Sequence, residues 1–310
     1  MKNKTFKTLD EQIEILKAKN LVVDDYDYAK DILLRENYFF VSGYRHLFIK
    51  SPIEKTYIDN TNFRELYSMF YFDRQLRNIL FKNLLIVENN MKSIISYVLS
   101  KNYGFKEKNY LNPNNFVKDP KRSKQVNDLL KKMNRQIRVN GKQHSATSHY
   151  INNYGYIPLW VVVKVLSFGI VGELFTILKP EDQKEIADIF KVPVKDMLDF
   201  LPILANYRNL CAHEDICYEH RTQIEIENYH YHQLLDIPKM DGEYIYGRND
   251  LFSLVLVLKY LLSKDDFTLM LNEISFEIDL LAGRLKVINI TKVLDQMGFP
   301  LNYKELARID

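Results

Sequence analysis

Apolar residues return every three or four positions over much of this chain, the spacing of helices that bury one face. Between Asn62 and Lys101 they are Phe63, Leu66, Phe70, Leu76, Leu80, Leu84, Val87, Met91, Ile94 and Val98, which predicts one long amphipathic helix or two nearly collinear ones. Thr8 and Glu11 frame an earlier helix start before Ile13, Leu16 and Leu21, since a Thr hydroxyl can accept from a free N–H while the Glu reaches back. Asp25 to Glu36 predicts a second helix. YFFVSGYRHLF (38 to 48) lacks that spacing, is broken at Ser42-Gly43, and predicts a turn packed on the core. Tyr103 to Pro120, rich in Asn, Gly and Pro, reads as a loop. Ser123 to Arg138 carries a weaker stripe (Val126, Leu129, Leu130, Met133, Ile137) and predicts a surface helix ending at Asn140-Gly141.

The apolar run IPLWVVVKVLSFGIVGELF (157 to 175) predicts buried helix, with Pro158 in its first turn and Gly169 at a close helix contact. Glu181 to Phe190 predicts a short helix, Val194 to Glu214 a longer one, and Leu251 to Leu262 with Phe267 to Leu281 a C-terminal pair. Lys286 to Ile290 is β-branched and fits a strand or a helix start. The sum is an all-α protein with three parts: N-terminal helices over 1–59, a helical core over 60–235 and a C-terminal helical cap over 236–310.

Composition agrees: 46% hydrophobic residues fill a substantial core, and ten glycines with nine prolines are few for 310 residues. No membrane span is expected, because Lys164 and Glu173 interrupt one apolar run and the other has only 12 residues, nor does the N-terminus read as a secretory signal. Cys211 and Cys217 are too few for a disulfide framework, and a reducing cytoplasm fits them. The net charge of +3 implies no nucleic acid by itself, but its placement does. Lys118, Lys121, Arg122, Lys124, Lys131, Lys132, Arg135, Arg138 and Lys142 face only Asp119 and Asp128 between 118 and 144, so the rest of the chain is slightly acidic.

Candidate chemistry sits in YRNLCAHEDICY, 207 to 218. In a helix Asn209 and His213 share a face, and Arg208 lies about 140° around the axis from His213. Asn209 can then hold the imidazole while Arg208 reaches the same cleft. RNA cleavage needs a base for the ribose 2′-hydroxyl, a cation for the phosphoryl oxygens and an acid for the leaving 5′-oxygen; no metal or other cofactor is called for. Histidine titrates near neutral pH, and the guanidinium fork matches a phosphate. One histidine does half of this, so a homodimer pairing two such helices about a two-fold axis is expected. The bland alternative is a solvated histidine near a helix end and an arginine in an ion pair.

YRNLCAH resembles the RN-x-x-AH signature of the HEPN superfamily, specifically the Abi-like abortive-infection proteins of the AbiD/AbiF group. LDEQIEILKAKNL, YFFVSGYRHLF, FYFDRQLRNILFKNLLIVENNMKS, IPLWVVVKVLSFGIVGELF and MGFP extend the resemblance almost end to end. It implies a HEPN helical bundle, a role in anti-phage defence, metal-independent endoribonuclease activity through Arg208, Asn209 and His213, and restraint by a structured noncoding RNA. Lys121, Arg122, Lys124, Lys131, Lys132, Arg135, Arg138 and Lys142 are the expected RNA contacts. Glu214 and Asp215 depart from what a phosphate would favour, which points to the runner-up reading of a catalytically weak or inactive RNA-binding protein that sequesters RNA or a partner.

Asp73, Arg77 and Glu88 belong to the same helical stretch, where ion pairing within the bundle competes with a supporting role behind Arg208 or His213. His144 with His149 and His230 with His232 lack companion ligands for a metal and read as surface polar residues. Tyr103, Tyr110, Tyr150 and Tyr154 surround the basic segment and could stack on unpaired bases.

Overall fold

The computed structural model describes residues 5–51, 53, 55–141 and 143–309; Lys142 lies outside them. The capping box forms: the Glu11 amide donates to the Thr8 hydroxyl and the Thr8 amide to the Glu11 carboxylate, opening α1 (Leu9–Lys17). Asp25 caps α2 (Tyr26–Glu36) through the Tyr28 amide. The expected turn at 38 to 48 is instead helical, α3 (Tyr38–Gly43) running into a 3-10 turn over Tyr44–Phe48. Its buried positions Val41, Tyr44 and Phe48 do follow three- and four-residue steps, a stripe masked in the sequence by the exposed Phe39 and Phe40.

Asn62 caps α4 (Phe63–Tyr103), whose 41 residues form a single helix about 60 Å long. Beyond it the loop expected at 103 to 120 contains α5 (Glu107–Tyr110) and a 3-10 turn at Pro113–Asn115. Then come α6 (Ser123–Asn140) and α7 (Ser145–Tyr154), the latter so polar that only Thr147 is buried and the spacing gives no signal for it. The apolar run 157 to 175 splits into α8 (Leu159–Val165) and α9 (Phe168–Ile177), because Leu166 is extended and the Ser167 hydroxyl takes the Ile170 amide to start a new helix. Gly169 faces open space; Gly172 is the glycine at a helix contact, 3.7 Å from Leu201 where a Cβ would stand.

The chain continues through α10 (Pro180–Phe190), α11 (Val194–Ala212) and α12 (His230–Leu234). A two-residue hairpin, β1 (Lys239–Met240) and β2 (Glu243–Tyr244), turns at Asp241-Gly242 with both φ angles positive. Last are α13 (Leu251–Leu261), α14 (Lys264–Arg284), α15 (Ile290–Met297) and a 3-10 turn at Tyr303–Ala307. Residues 286–289 form no strand: Glu65 ties down the amides of Lys286 and Val287, and the helix starts at Ile290.

α4 is the axis of the protein. Antiparallel α14 lies beside it from the Lys82–Glu273 ion pair to the Glu65 contacts, and α11 runs antiparallel along another side. α13 is inaccessible from Leu251 through Leu258, all apolar but Ser253, so it lies inside the bundle. α6 rests on α9, which in turn rests on α11. One continuous apolar core reaches from Ile13 to Leu306.

Candidate functional site

α11 buries Met197, Phe200, Leu201, Leu204, Tyr207, Leu210 and Cys211, and this packing leaves Asn209 and His213 exposed and Arg208 partly so. The helix ends two residues before the expected Glu214. His213 is its C-cap, donating its backbone N–H to the Asn209 carbonyl at 3.0 Å, and Glu214 follows in the left-handed region with φ +58°. Asp215 then closes the end by donating to the Leu210 carbonyl. Asn209 does not hold the imidazole through its side chain; the i to i+4 tie is made by the backbone, and both side chains point to water.

Arg208 is held from α4. Its Nε donates to Glu88 Oε2 at 3.0 Å, and the other Glu88 oxygen accepts from Lys92 at 2.7 Å. Glu88 is buried, so the pair is shielded from solvent on one side, and the guanidinium stands 5.7 Å from the Phe81 ring. This fixes one edge of the guanidinium and leaves its two terminal nitrogens without a partner among the described residues, an arrangement suited to receiving a phosphate.

Asp73 and Arg77 form a buried ion pair, and beyond pairing they fasten the segment that follows His213. Asp73 accepts from the Tyr44 hydroxyl (2.6 Å) and from the amides of Cys217 (3.0 Å) and Tyr218 (2.8 Å), while Arg77 donates to Tyr44 and to the Asp215 carbonyl. Burial pushes the Asp73 carboxyl above the ordinary aspartate range, against the pull of Arg77, Tyr44 and the two amides. Burial likewise raises the Cys217 thiol, beside Cys211. Tyr44 stacks on Tyr218, so the N-terminal helices take part in holding this segment. That contribution had no sequence signal, being a contact between residues far apart in the chain.

Two hollows border the motif. A cavity of about 920 Å³ separates α2 and α3 from residues 214–216 and is lined by Phe39, Phe40, Arg74 and Glu214; Arg74 makes a two-point ion pair with Glu36. A second, of about 380 Å³, holds His220, whose Nε2 lies 2.7 Å from Asn206 Oδ1. Asn206 and His213 are seven residues apart, nearly two turns, so His220 is a second imidazole on the exposed face of α11 that sequence reading passed over. Burial and then Arg221 lower its pKa, favouring the neutral imidazole.

In α6, Val126, Leu129, Leu130 and Met133 are buried, while Lys124, Lys131, Lys132, Arg135 and Arg138, with Lys121 and Arg122 just before the helix, are exposed. Arg122 donates to the Thr176 carbonyl, Lys132 pairs with Glu173 and Lys131 lies 3.7 Å from Asp128; Lys124, Arg135 and Arg138 have no ion-pair partner among the described residues. Since α9 intervenes, the basic face and the motif occupy different layers. Tyr110 is buried with its hydroxyl on the Ile157 carbonyl, Tyr103 is bonded to Asp182 and Tyr150 is half-buried against the core, so of the four tyrosines Tyr154 is the exposed one. His232 is not a surface residue either. It is fully buried, with Nε2 on the Gly247 carbonyl and Nδ1 beside the Tyr229 amide. Among the described residues no three His, Cys, Asp or Glu side chains come together as a metal site.

No curated protein and no solved structure matches the chain. A family model described as Abi-like protein matches residues 31–219. It leaves LDEQIEILKAKNL and MGFP outside, but takes in α4, α11 and every contact that Glu88, Asp73 and Arg77 make with the motif and the segment behind it. More than half of the sequence being covered, the chain belongs to the Abi-like protein family.

Proposed function

We propose that this Abi-like chain acts in abortive infection as a HEPN-type endoribonuclease that needs no metal, works in the cytoplasm, and is restrained by a structured noncoding RNA bound along α6. The observation that carries the reading is Arg208, oriented by buried Glu88 and open at its outer nitrogens among the described residues, five residues before a solvent-facing His213. His213 would take the proton of a ribose 2′-hydroxyl; the 2′-oxygen then bonds to phosphorus, the bond to the 5′-oxygen breaks, and a second imidazole returns a proton to that oxygen. The products are a 2′,3′-cyclic phosphate and a free 5′-hydroxyl. Arg208 offsets charge on the phosphoryl oxygens, and a second copy of α11 in a homodimer supplies the other imidazole.

The test is expression of the wild type, Arg208→Ala and His213→Ala with and without phage challenge, followed on gels of total RNA. Loss of a proton-transferring group should lower cleavage by about 10²- to 10⁴-fold; variants that arrest growth and degrade RNA as the wild type does would refute the assignment. A second reading, an RNA-binding protein with little or no cleavage, is favoured by the exposed Glu214 and Asp215 directly after His213. It predicts copurified RNA, seen in the 260/280 nm absorbance ratio, that both variants retain together with full activity in defence.

A further inference from the structure

From residue 129 to residue 172 the chain contains no aspartate or glutamate. This interval folds into most of α6, all of α7 and α8, and the start of α9. At the corner between α7 and α8 the aromatic rings make a chain of contacts. Tyr150 meets Tyr154 at 5.3 Å, Tyr154 meets Tyr156 at 6.4 Å, and Phe105 joins Tyr156 at 5.8 Å to Trp160 at 5.2 Å. Gly155, with φ +73°, lets the chain reverse so that Tyr154 and Tyr156 approach each other.

Tyr154 is 57% exposed and Trp160 45%, values high for rings that a protein of this size could have buried. Lys106 stands 4.4 Å over the Tyr156 ring, and exposed Lys164 lies one turn beyond Trp160 on the same face of α8. Glu107 brings a carboxylate to the corner, where it accepts from the Ile157 amide. Hydrogen bonds tie the platform together: Leu159 donates to the Phe105 carbonyl and Tyr110 to the Ile157 carbonyl. It continues into the basic helix, since the Thr147 hydroxyl bonds to the Asn140 carbonyl at the end of α6.

We infer that this corner is a docking surface for single-stranded RNA: unpaired bases stack on Tyr154, Tyr156 and Trp160, while Lys106, Lys164 and the outer cations of α6 meet the phosphates. Cations that outnumber the acids match a polyanion, and exposed rings beside them match bases. The inference rests on the reading that the protein binds RNA and adds where, and in what form, the strand is held.

Trp160 is the single tryptophan of the sequence, so its fluorescence reports on this corner directly. The full chain, freed of copurified RNA, is titrated with an oligouridine of about 12 nucleotides, with an abasic oligomer of equal length, and with an RNA duplex. Oligouridine should quench Trp160 strongly and the other two should not. With labelled oligouridine, Tyr154→Ala and Trp160→Ala should each raise Kd by about tenfold, while Tyr154→Phe stays near the wild type. Equal affinity for the abasic strand, or RNA binding with unchanged Trp160 emission and unaffected alanine variants, overturns the corner and leaves RNA binding through α6 standing. Absence of binding to any RNA by the wild type removes both. Should an alanine variant fail to fold, the wild-type titration still decides.

Discussion

Asp73 shows how much can depend on one buried carboxylate. Asp73→Ala would leave Arg77 buried without its counter-charge and the amides of Cys217 and Tyr218 without an acceptor. The expected cost is about 3–5 kcal/mol, read by urea unfolding. A smaller effect of opposite sign is expected at Glu214, which holds a left-handed conformation that glycine adopts freely. Glu214→Gly should therefore stabilise the fold by about 0.5–1 kcal/mol while removing a negative charge beside His213, measurable in the same unfolding experiment. The motif itself was legible as a pattern of residue types. Glu88 was reachable from helical azimuth alone, since eleven residues from Arg77 is close to three turns. Tyr44 and His220 were not, because their partners Asp73 and Asn206 stand 29 and 14 residues away and no periodicity links them.

Helices with one wet face could be read from spacing, and α4 and α6 lie where expected, α4 continuing two residues past Lys101. Spacing fails where a helix is polar nearly all round, as in α7, or apolar through a helix boundary, as at Ser167; there a single hydroxyl decides the break. The MGFP block shows a similar short-range logic. Gly298 ends α15 with φ +74°, and a Cβ there would lie 2.1 Å from the Asp250 carboxylate. Gly298→Ala should destabilise by about 3 kcal/mol or more, visible as a large fall in Tm, since overpacking adds to left-handed strain. Asp250 caps α13 through the Ser253 amide and also accepts from Gly247; burial pushes its carboxyl up from 3.8 to about 6. A folded-state value above the unfolded one favours the folded protein at low pH, and that advantage is lost as pH rises from about 4 through about 6, a change of about 3 kcal/mol. Asp250→Asn should flatten the stability profile across this window, as followed by unfolding at stepped pH.

The whole molecule separates two surfaces. Arg208 and His213 stand at the end of α11, and the cations of α6 stand outside α9. Changes in affinity and changes in cleavage should therefore be separable by mutation. Reversing Lys124, Arg135 and Arg138, which have no ion-pair partners among the described residues, should reduce the slope of log affinity against log salt by about 2, whereas reversing Lys132 alone, already paired with Glu173, should change it little. The all-α class followed from composition and spacing together, but this layering is a property of tertiary packing that one-dimensional patterns do not carry. The fastening of residues 215–218 onto α4 has one more consequence. The chain leaving His213 is clamped within a few residues by Arg77 and Asp73, and a stimulus that shifted the backbone carrying the imidazole would have to unpick that clamp. On the function proposed above, release therefore has to come from outside the motif, by stripping away a cover or by delivering a second chain.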